Sequence, residues 1–234
     1  MRRLLVTIAL AAALLPDLAP AQERVDVELV LLADASRSID DGELMLQRSG
    51  YAAAITHPLI LSAIMGGAHQ RIALTYVEWA DENAQDVVVP WTTIDGPDSA
   101  TDFAARLMAA PRRSYGPNAI GSAIAAAQAL IETNDIAGER LVIDFSGDSA
   151  NSFRGLPLPL ARQRALDAGI IINGLAVLCR TCSGRPVGYD LERAFAELIT
   201  GGPGSFVITA ETDESFATAV RNKLLLEIAG LAPR

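Results

Sequence analysis

The stretch VELVLLADASRSID, residues 27–40, decides how the rest of the chain is read. Its apolar run is the pattern of a strand buried on both faces, which is typical of a parallel sheet covered by helices. The run ends abruptly in Asp34, and Ser36 and Ser38 follow at alternate positions. In an extended or turning segment, residues two apart point the same way. The three oxygen-bearing side chains can therefore converge on one point while Ala35 and Arg37 face elsewhere.

Outward from this stretch, strand and helix signals alternate. Helical periodicity runs over residues 42–65, after Asp40 and Asp41 and up to the Gly66-Gly67 stop. RIALTYVEWA (71–80) and DVVVPWTTI (86–94) read as strands. The short DENAQ between them cannot hold a crossover helix, so they form an antiparallel hairpin, with Pro90 placing the second strand at an edge. Helices are expected at 99–109 and 119–132, a strand at RLVIDFSGD (140–148), and a helix in PLARQRALDAG (159–169). A buried strand follows at 170–178, a helix at 191–199, a short strand at GSFVITA (204–210) and a last helix at 213–229. The implied fold class is α/β: a doubly wound, mostly parallel six-stranded sheet with one antiparallel edge hairpin and helices on both faces. No repeat or linker divides the chain, so residues 22–234 read as one domain.

The first 21 residues combine Arg2 and Arg3, an apolar stretch and a small-residue ending at Ala19-Pro20-Ala21, the layout of a secretory signal peptide cut after Ala21. Pro16 and Asp17 interrupt the apolar run well short of the ~20 residues a membrane span needs, so a retained anchor is not expected. The mature chain is expected to be periplasmic or secreted, and monomeric. A net charge of −9 argues against nucleic acid and anionic membranes as partners. In an oxidising compartment, Cys179 and Cys182 in CRTC read as a local disulfide pinning a loop. A reactive dithiol is the alternative, although this CxxC follows a strand rather than opening a helix.

In open doubly wound sheets, ligands bind at the carboxyl ends of strands where the strand order reverses. With a 3-2-1-4-5-6 order, Asp34 and Asp148 would stand at neighbouring strand ends on such a crevice. Two close carboxylates repel unless a cation intervenes, and a divalent cation would also accept the serine hydroxyls as hard oxygen ligands. The bland alternative is that Ser38, Asp40 or Asp41 merely caps the following helix.

DASRS (34–38) resembles the D-x-S-x-S opening of von Willebrand factor A domains, GPNAIGSAI (116–124) resembles the G-x-T-x-I-G-x-A-L segment of that family, and LVIDFSGDS (141–149) resembles its aspartate-bearing strand. Other segments, among them YVEWA, ERLVIDFSGD and GGPGSFV, look like a group of exported bacterial proteins whose A-like domain has no assigned function. The resemblance spans about residues 25–229 and implies a metal-ion-dependent adhesion site (MIDAS) with metal ligands Asp34, Ser36, Ser38 and Asp148, holding Mg²⁺ or, alternatively, Mn²⁺ or Ca²⁺. Asn118 stands where the family carries threonine, a departure that shifts the ion, weakens it or changes its identity. What the resemblance implies is a protein-binding adaptor that captures an Asp or Glu of a partner protein through the ion, and not an enzyme. The alternatives are a structural domain with a degenerate site and a metal-assisted hydrolase.

Other chemistries find little support. Gly-Asp-Ser at 147–149 would need a histidine to activate Ser149, and the only two, His57 and His69, fall elsewhere in the topology. An aspartyl-phosphate mechanism would need an acid where Ser36 stands, and no phosphate-binding glycine loop follows the first strand. Trp79 and Trp91 read as packing residues before a recognition patch. RRSYG (112–116), beside Asn118, would rim the ion as a contact surface or simply be solvated.

Overall fold

The computed structural model describes residues 22–178 and 188–231. Strands β1 (Glu23–Val25), β2 (Glu28–Asp34), β3 (Ile72–Trp79), β4 (Gln85–Ile94), β5 (Ile136–Gly138), β6 (Leu141–Gly147), β7 (Ile171–Val177) and β8 (Val207–Ala210) alternate with helices. The helices are α1 (Asp41–Ile55), α2 (Pro58–Met65), α3 (Pro97–Ala109), α4 (Ile120–Glu132), α5 (Leu158–Asp167), α6 (Leu191–Leu198) and α7 (Asp213–Ala229). Six strands form one sheet in the order β4-β3-β2-β6-β7-β8, antiparallel only between β3 and β4. Numbered among themselves, these strands run 3-2-1-4-5-6, the expected order.

Every residue of β2 is buried. The strand period of two sends Leu29, Leu31 and Ala33 into one core, with Tyr51, Ile60, Phe103, Phe216 and Leu224 from α1, α2, α3 and α7. Val30 and Leu32 point into the other, with Ile120, Ile124, Ala161, Ala165 and Phe195 from α4, α5 and α6. Trp79 belongs to this second core and stacks on Phe145 at 5.2 Å between ring centroids. The half-buried Trp91 donates its indole N–H to Leu130 O at 3.1 Å, tying the edge strand to α4. Both tryptophans pack, as expected.

Two elements are more divided than the hydrophobic pattern suggests. The long first helix breaks at Thr56-His57: Pro58 cannot extend it, and His57 starts α2 by accepting Leu59 N–H on its ring at 3.2 Å. The first strand also splits at Asp26-Val27. Asp26 accepts the backbone N–H of His69 at 3.0 Å, and β1 leaves to pair with β5 in a separate two-stranded sheet. On edge strand β4, Leu74 faces Thr92 whereas Tyr76 faces Val89, so an extra residue bulges opposite Thr75 where Pro90 lies.

Two buried charge clusters tie helices to the sheet. On α1, Arg48 grips both carboxylate oxygens of Glu78 on β3, at 2.7 and 3.0 Å. From α7, Lys223 reaches Asp144 on β6 at 2.7 Å and also binds Glu227 one helical turn on. Tyr51 donates to Asp144 at 3.2 Å, and Asn173 on β7 donates to Glu227 at 3.0 Å. Burial first, and Asp144 second, raise the Glu227 carboxyl to about 8. Removing one partner from such a set strands the others without water. Lys223→Met should therefore lower unfolding free energy by about 3–5 kcal/mol in urea titrations, and adding Asp144→Leu should recover much of the loss.

Candidate metal centre

β2 and β6 lie side by side, yet the chain leaves β2 toward β3 on one side and β6 toward β7 on the other. Their exit loops diverge over a crevice at the carboxyl end of the sheet. Gly147, the last residue of β6, packs so close that a Cβ there would stand 3.1 Å from Asp34 Oδ2 and 3.4 Å from the Trp79 ring. The tight approach keeps the two strand ends parallel up to the point where the acidic residues emerge.

Asp34 is fully buried. Its Oδ1 accepts the Ser36 N–H at 2.8 Å, an aspartate turn that folds the chain back over the strand end. The Ser36 and Ser38 hydroxyls lie 3.2 Å apart, and the Ser38 hydroxyl is near enough to the Asp148 carboxyl to pull its pKa down. Asp148 is close enough to raise the Asp34 carboxyl by its charge. Four of the five expected positions, Asp34, Ser36, Ser38 and Asp148, are thus linked to one another. Ser38 does not cap α1. Asp40 does, accepting Glu43 N–H at 2.8 Å while the Glu43 carboxylate accepts Asp40 N–H at 2.7 Å.

Asn118 lies on the loop before α4 and is 7% exposed. Its backbone carbonyl accepts Phe153 N–H at 2.8 Å, and the next amide, Ala119 N–H, bonds Ala80 O at 2.9 Å. Among the described residues its side chain makes no hydrogen bond to the other four. It is adjacent to the cluster but not part of its bonding.

The loop is braced by residues whose role the motif does not announce. Gln47 on α1 donates to Asp34 O at 2.9 Å and accepts from Ser146 at 3.4 Å. Arg112 donates to the carbonyls of Ala35 and Ile39, each at 2.9 Å, and pairs with Asp41 at 2.8 Å. Arg37 N–H bonds Gly116 O at 2.8 Å, closing the 112–118 loop onto the serines. One signal was available in advance: Gln47 and Arg48 are polar residues on the buried stripe with Leu44 and Tyr51, where a helix facing a sheet normally carries only apolar side chains.

The electrostatics are those of a site short of positive charge. Burial first, and the Asp148 charge second, lift the Asp34 carboxyl from its ordinary 3.8 to about 8, against the lowering pull of the Ser36 amide and hydroxyl. Burial also raises Asp148, partly offset by the Ser38 hydroxyl. Asp34 Oδ2 and Asp148 Oδ1 are both buried with no hydrogen-bond partner. Unpaired buried carboxylate oxygens are costly, and two from neighbouring strands at one rim are what a small hard cation would satisfy. Two carboxylates, two hydroxyls and a nearby amide carbonyl form an all-oxygen donor set suited to Mg²⁺, Mn²⁺ or Ca²⁺. The described residues contain no cluster of three or more His, Cys, Asp or Glu able to hold a metal, so any ion here relies on hydroxyl and amide oxygens as well.

Ser149 has no histidine beside it. Its hydroxyl accepts Asn151 N–H at 3.1 Å and lies 3.5 Å from the Tyr189 hydroxyl. His57 caps α2, and His69 faces Glu139 at 3.1 Å near the start of β3, at the opposite end of the parallel strands. The cysteine pair and the leader lie outside the described residues. No helix among the described residues is long and apolar enough to cross a membrane.

Solved structures with the same fold include three from different sources. One is proximal thread matrix protein 1 from the mussel byssus with a zinc-occupied MIDAS motif, 14% identical, with a TM-score of 0.59, covering 89% of this chain and 49% of that one. Another is the pilus adhesin SpaC from Lactobacillus rhamnosus GG, 12% identical, with a TM-score of 0.62, covering 90% and 32%. The third is the vWF domain of the type V pili tip protein Mfa5 from Porphyromonas gingivalis, 10% identical, with a TM-score of 0.59, covering 90% and 97%. The chain thus spans about half the length of the mussel protein and about a third of SpaC. No curated protein matches it. A family described as "Protein of unknown function (DUF1194)" matches residues 24–232. The chain belongs to that family, and its fold is that of a von Willebrand factor A domain.

Proposed function

We propose that the chain is an exported protein-binding module that holds one divalent cation at Asp34, Ser36, Ser38 and Asp148, with Asn118 as a further oxygen donor directly or through water. The observation that carries the reading is the pair of buried, unpartnered carboxylate oxygens, Asp34 Oδ2 and Asp148 Oδ1, at adjacent strand ends. When bound, the cation supplies positive charge that none of these side chains has, and an open position for an Asp or Glu of a partner protein. The chain's own part is to hold the donors still: Gln47 and Arg112 fix the backbone of the 34–39 turn, and the serine hydroxyls stay neutral so that the ion keeps its charge. Support comes from the kind of protein that shares the fold, a pilus adhesin, a pilus tip protein and a matrix protein with zinc in its MIDAS motif. Mg²⁺ is the ion proposed, because every donor is oxygen. Residues 1–21 are proposed as the export leader, residues 22–234 as one domain, and the periplasm or exterior as its place of work.

A second reading, a structural domain whose site has lost its ion, draws on the Asn118 side chain, which is not bonded to the rest of the cluster. Calorimetric titration with Mg²⁺, Mn²⁺ and Ca²⁺ separates the two. Binding by the wild-type chain, weakened at least ~100-fold by Asp34→Ala, is expected, since loss of even an outer-shell partner costs up to about that much. Asn118→Thr should bind Mg²⁺ more tightly. Heats of dilution alone for all three ions would favour the second reading. Capture of a partner from envelope extracts should fail with chelator and with Asp34→Ala alike; capture indifferent to both would refute the adaptor role.

The ion should also leave a mark on stability against pH. Asp34 binds its proton more tightly folded than unfolded, so the ion-free protein loses stability as pH rises from about 4 to about 8. Glu227 adds a slope of the same sign far from the ion. Saturating Mg²⁺ should raise the Tm more at pH 8 than at pH 5, and Asp34→Asn should flatten the ion-free slope while leaving the Glu227 part. An equal Mg²⁺ increment at both pH values would count against the assignment.

A further inference from the structure

Of the chain's two tryptophans, four tyrosines and six phenylalanines, nine are buried or half-buried. Three are exposed: Tyr115 at 59%, Phe153 at 69% and Tyr189 at 41%. Tyr115 and Phe153 stand on the loops that carry or bond Asn118, and Tyr189, just before α6, bonds the loop that follows Asp148. Tyr115 lies three residues before Asn118, with the Arg112 guanidinium 4.6 Å from its ring centroid. Phe153 donates its backbone N–H to Asn118 O at 2.8 Å. The Tyr189 hydroxyl accepts the Ala150 N–H at 2.9 Å, two residues past Asp148. Among the described residues no other face carries an exposed aromatic ring.

The rings stand among side chains of both charges, on a chain whose net charge is −9. Arg37, between the two serines, and Arg154, next to Phe153, are exposed and make no ion pair among the described residues. They stand among acids as well: Asp81 packs against Gly116, beside Tyr115, Glu82 packs against Gly155, beside Arg154, and Asp190 follows Tyr189. Tyrosine and arginine are also among the residue types that carry most binding energy at protein interfaces, where aromatic anchors desolvate a central polar contact.

We infer that Tyr115, Phe153 and Tyr189 form an aromatic collar that selects, at this ion, an acidic residue flanked by large apolar side chains on an extended segment of a partner protein. This rests on the ion reading above and goes beyond it by stating which acidic segment is chosen. A lone carboxylate on the ion is too small a contact to be specific. Rings standing around it exclude water and strengthen it, and the ion's own charge draws the carboxylate in.

The test uses the full mature chain and two synthetic peptides, acetyl-Gly-Phe-Asp-Phe-Gly-amide and acetyl-Gly-Gly-Asp-Gly-Gly-amide, titrated by NMR in Mg²⁺. Mn²⁺ binding by the same samples, followed by electron paramagnetic resonance, is the control. The phenylalanine-flanked peptide should bind at least ten times more tightly than the glycine-flanked one. Phe153→Ser and Tyr115→Ser should each erase most of that preference while binding Mn²⁺ as the wild type does. Equal affinities, no binding of either peptide by Mn²⁺-competent protein, or binding of the neutral oligosaccharide maltohexaose in their place would overturn the collar. Failure to bind Mn²⁺ would instead overturn the ion reading, and a peptide preference that survives unchanged without metal would overturn selection at the ion.

Discussion

The constraint on which the site depends is the burial of Asp34 beside a second carboxylate. Strand β2 carries it to the crevice with no exposed surface, and β6 brings Asp148 close enough for the two charges to interact. The Ser36 amide satisfies one oxygen of Asp34, and the Ser38 hydroxyl offsets part of the rise at Asp148, yet one oxygen of each acid stays without a partner. A fold selected for stability alone has little reason to place an unpaired acid in each of two neighbouring strands at their shared rim. The surrounding braces make sense in that light. Gln47 holds the Asp34 carbonyl, Arg112 gathers the carbonyls of the turn, and Arg48 and Glu78 lock α1 to the next strand over. Each removes freedom from donors that would otherwise move apart.

Much of this architecture is legible in sequence, for identifiable reasons. A strand buried on both faces produces an unbroken apolar run, and β2 has one. Short turns exclude crossover helices, which made β3 and β4 a hairpin, and the D-x-S-x-S spacing projects three oxygens to one side of an extended turn. Legibility fails where the deciding partner is distant. Nothing around Asp26 announces that it will cap the backbone of His69 and release β1 to a separate sheet. Arg48 and Glu78 are 30 residues apart, and Lys223 lies still further from Asp144. Their pairing depends on the strand order, so local patterns cannot show it. The helix break at Pro58 was visible in principle, but the apolar period continues across it and masks the stop.

Asn118 marks the boundary between what a motif says and what a structure says. By resemblance of segments it occupies a ligand position, and its loop bonds the serine turn through Arg37 N–H and Gly116 O. The bonds it makes are through its backbone, to Phe153, while its amide stays apart from the serines and aspartates. The same backbone bond ties the exposed Phe153 to the 112–118 loop, which also bonds Arg37 between the two serines. Substitution at Asn118 would alter both the donor set and the placement of the Phe153 ring.

The bulged strand β4 has an outcome of its own. A regular outer strand is a template on which a neighbouring molecule can extend the hydrogen-bond ladder, and repetition of that step builds fibres. Here the ribbon is kinked opposite Thr75, Pro90 withholds an amide, and the Thr75 hydroxyl occupies the Val89 carbonyl. The other outer strand, β8, is only four residues long. Among the described residues neither outer strand is both long and regular, so a surface that presents aromatic rings at one end can coexist with sheet margins ill suited to polymerising.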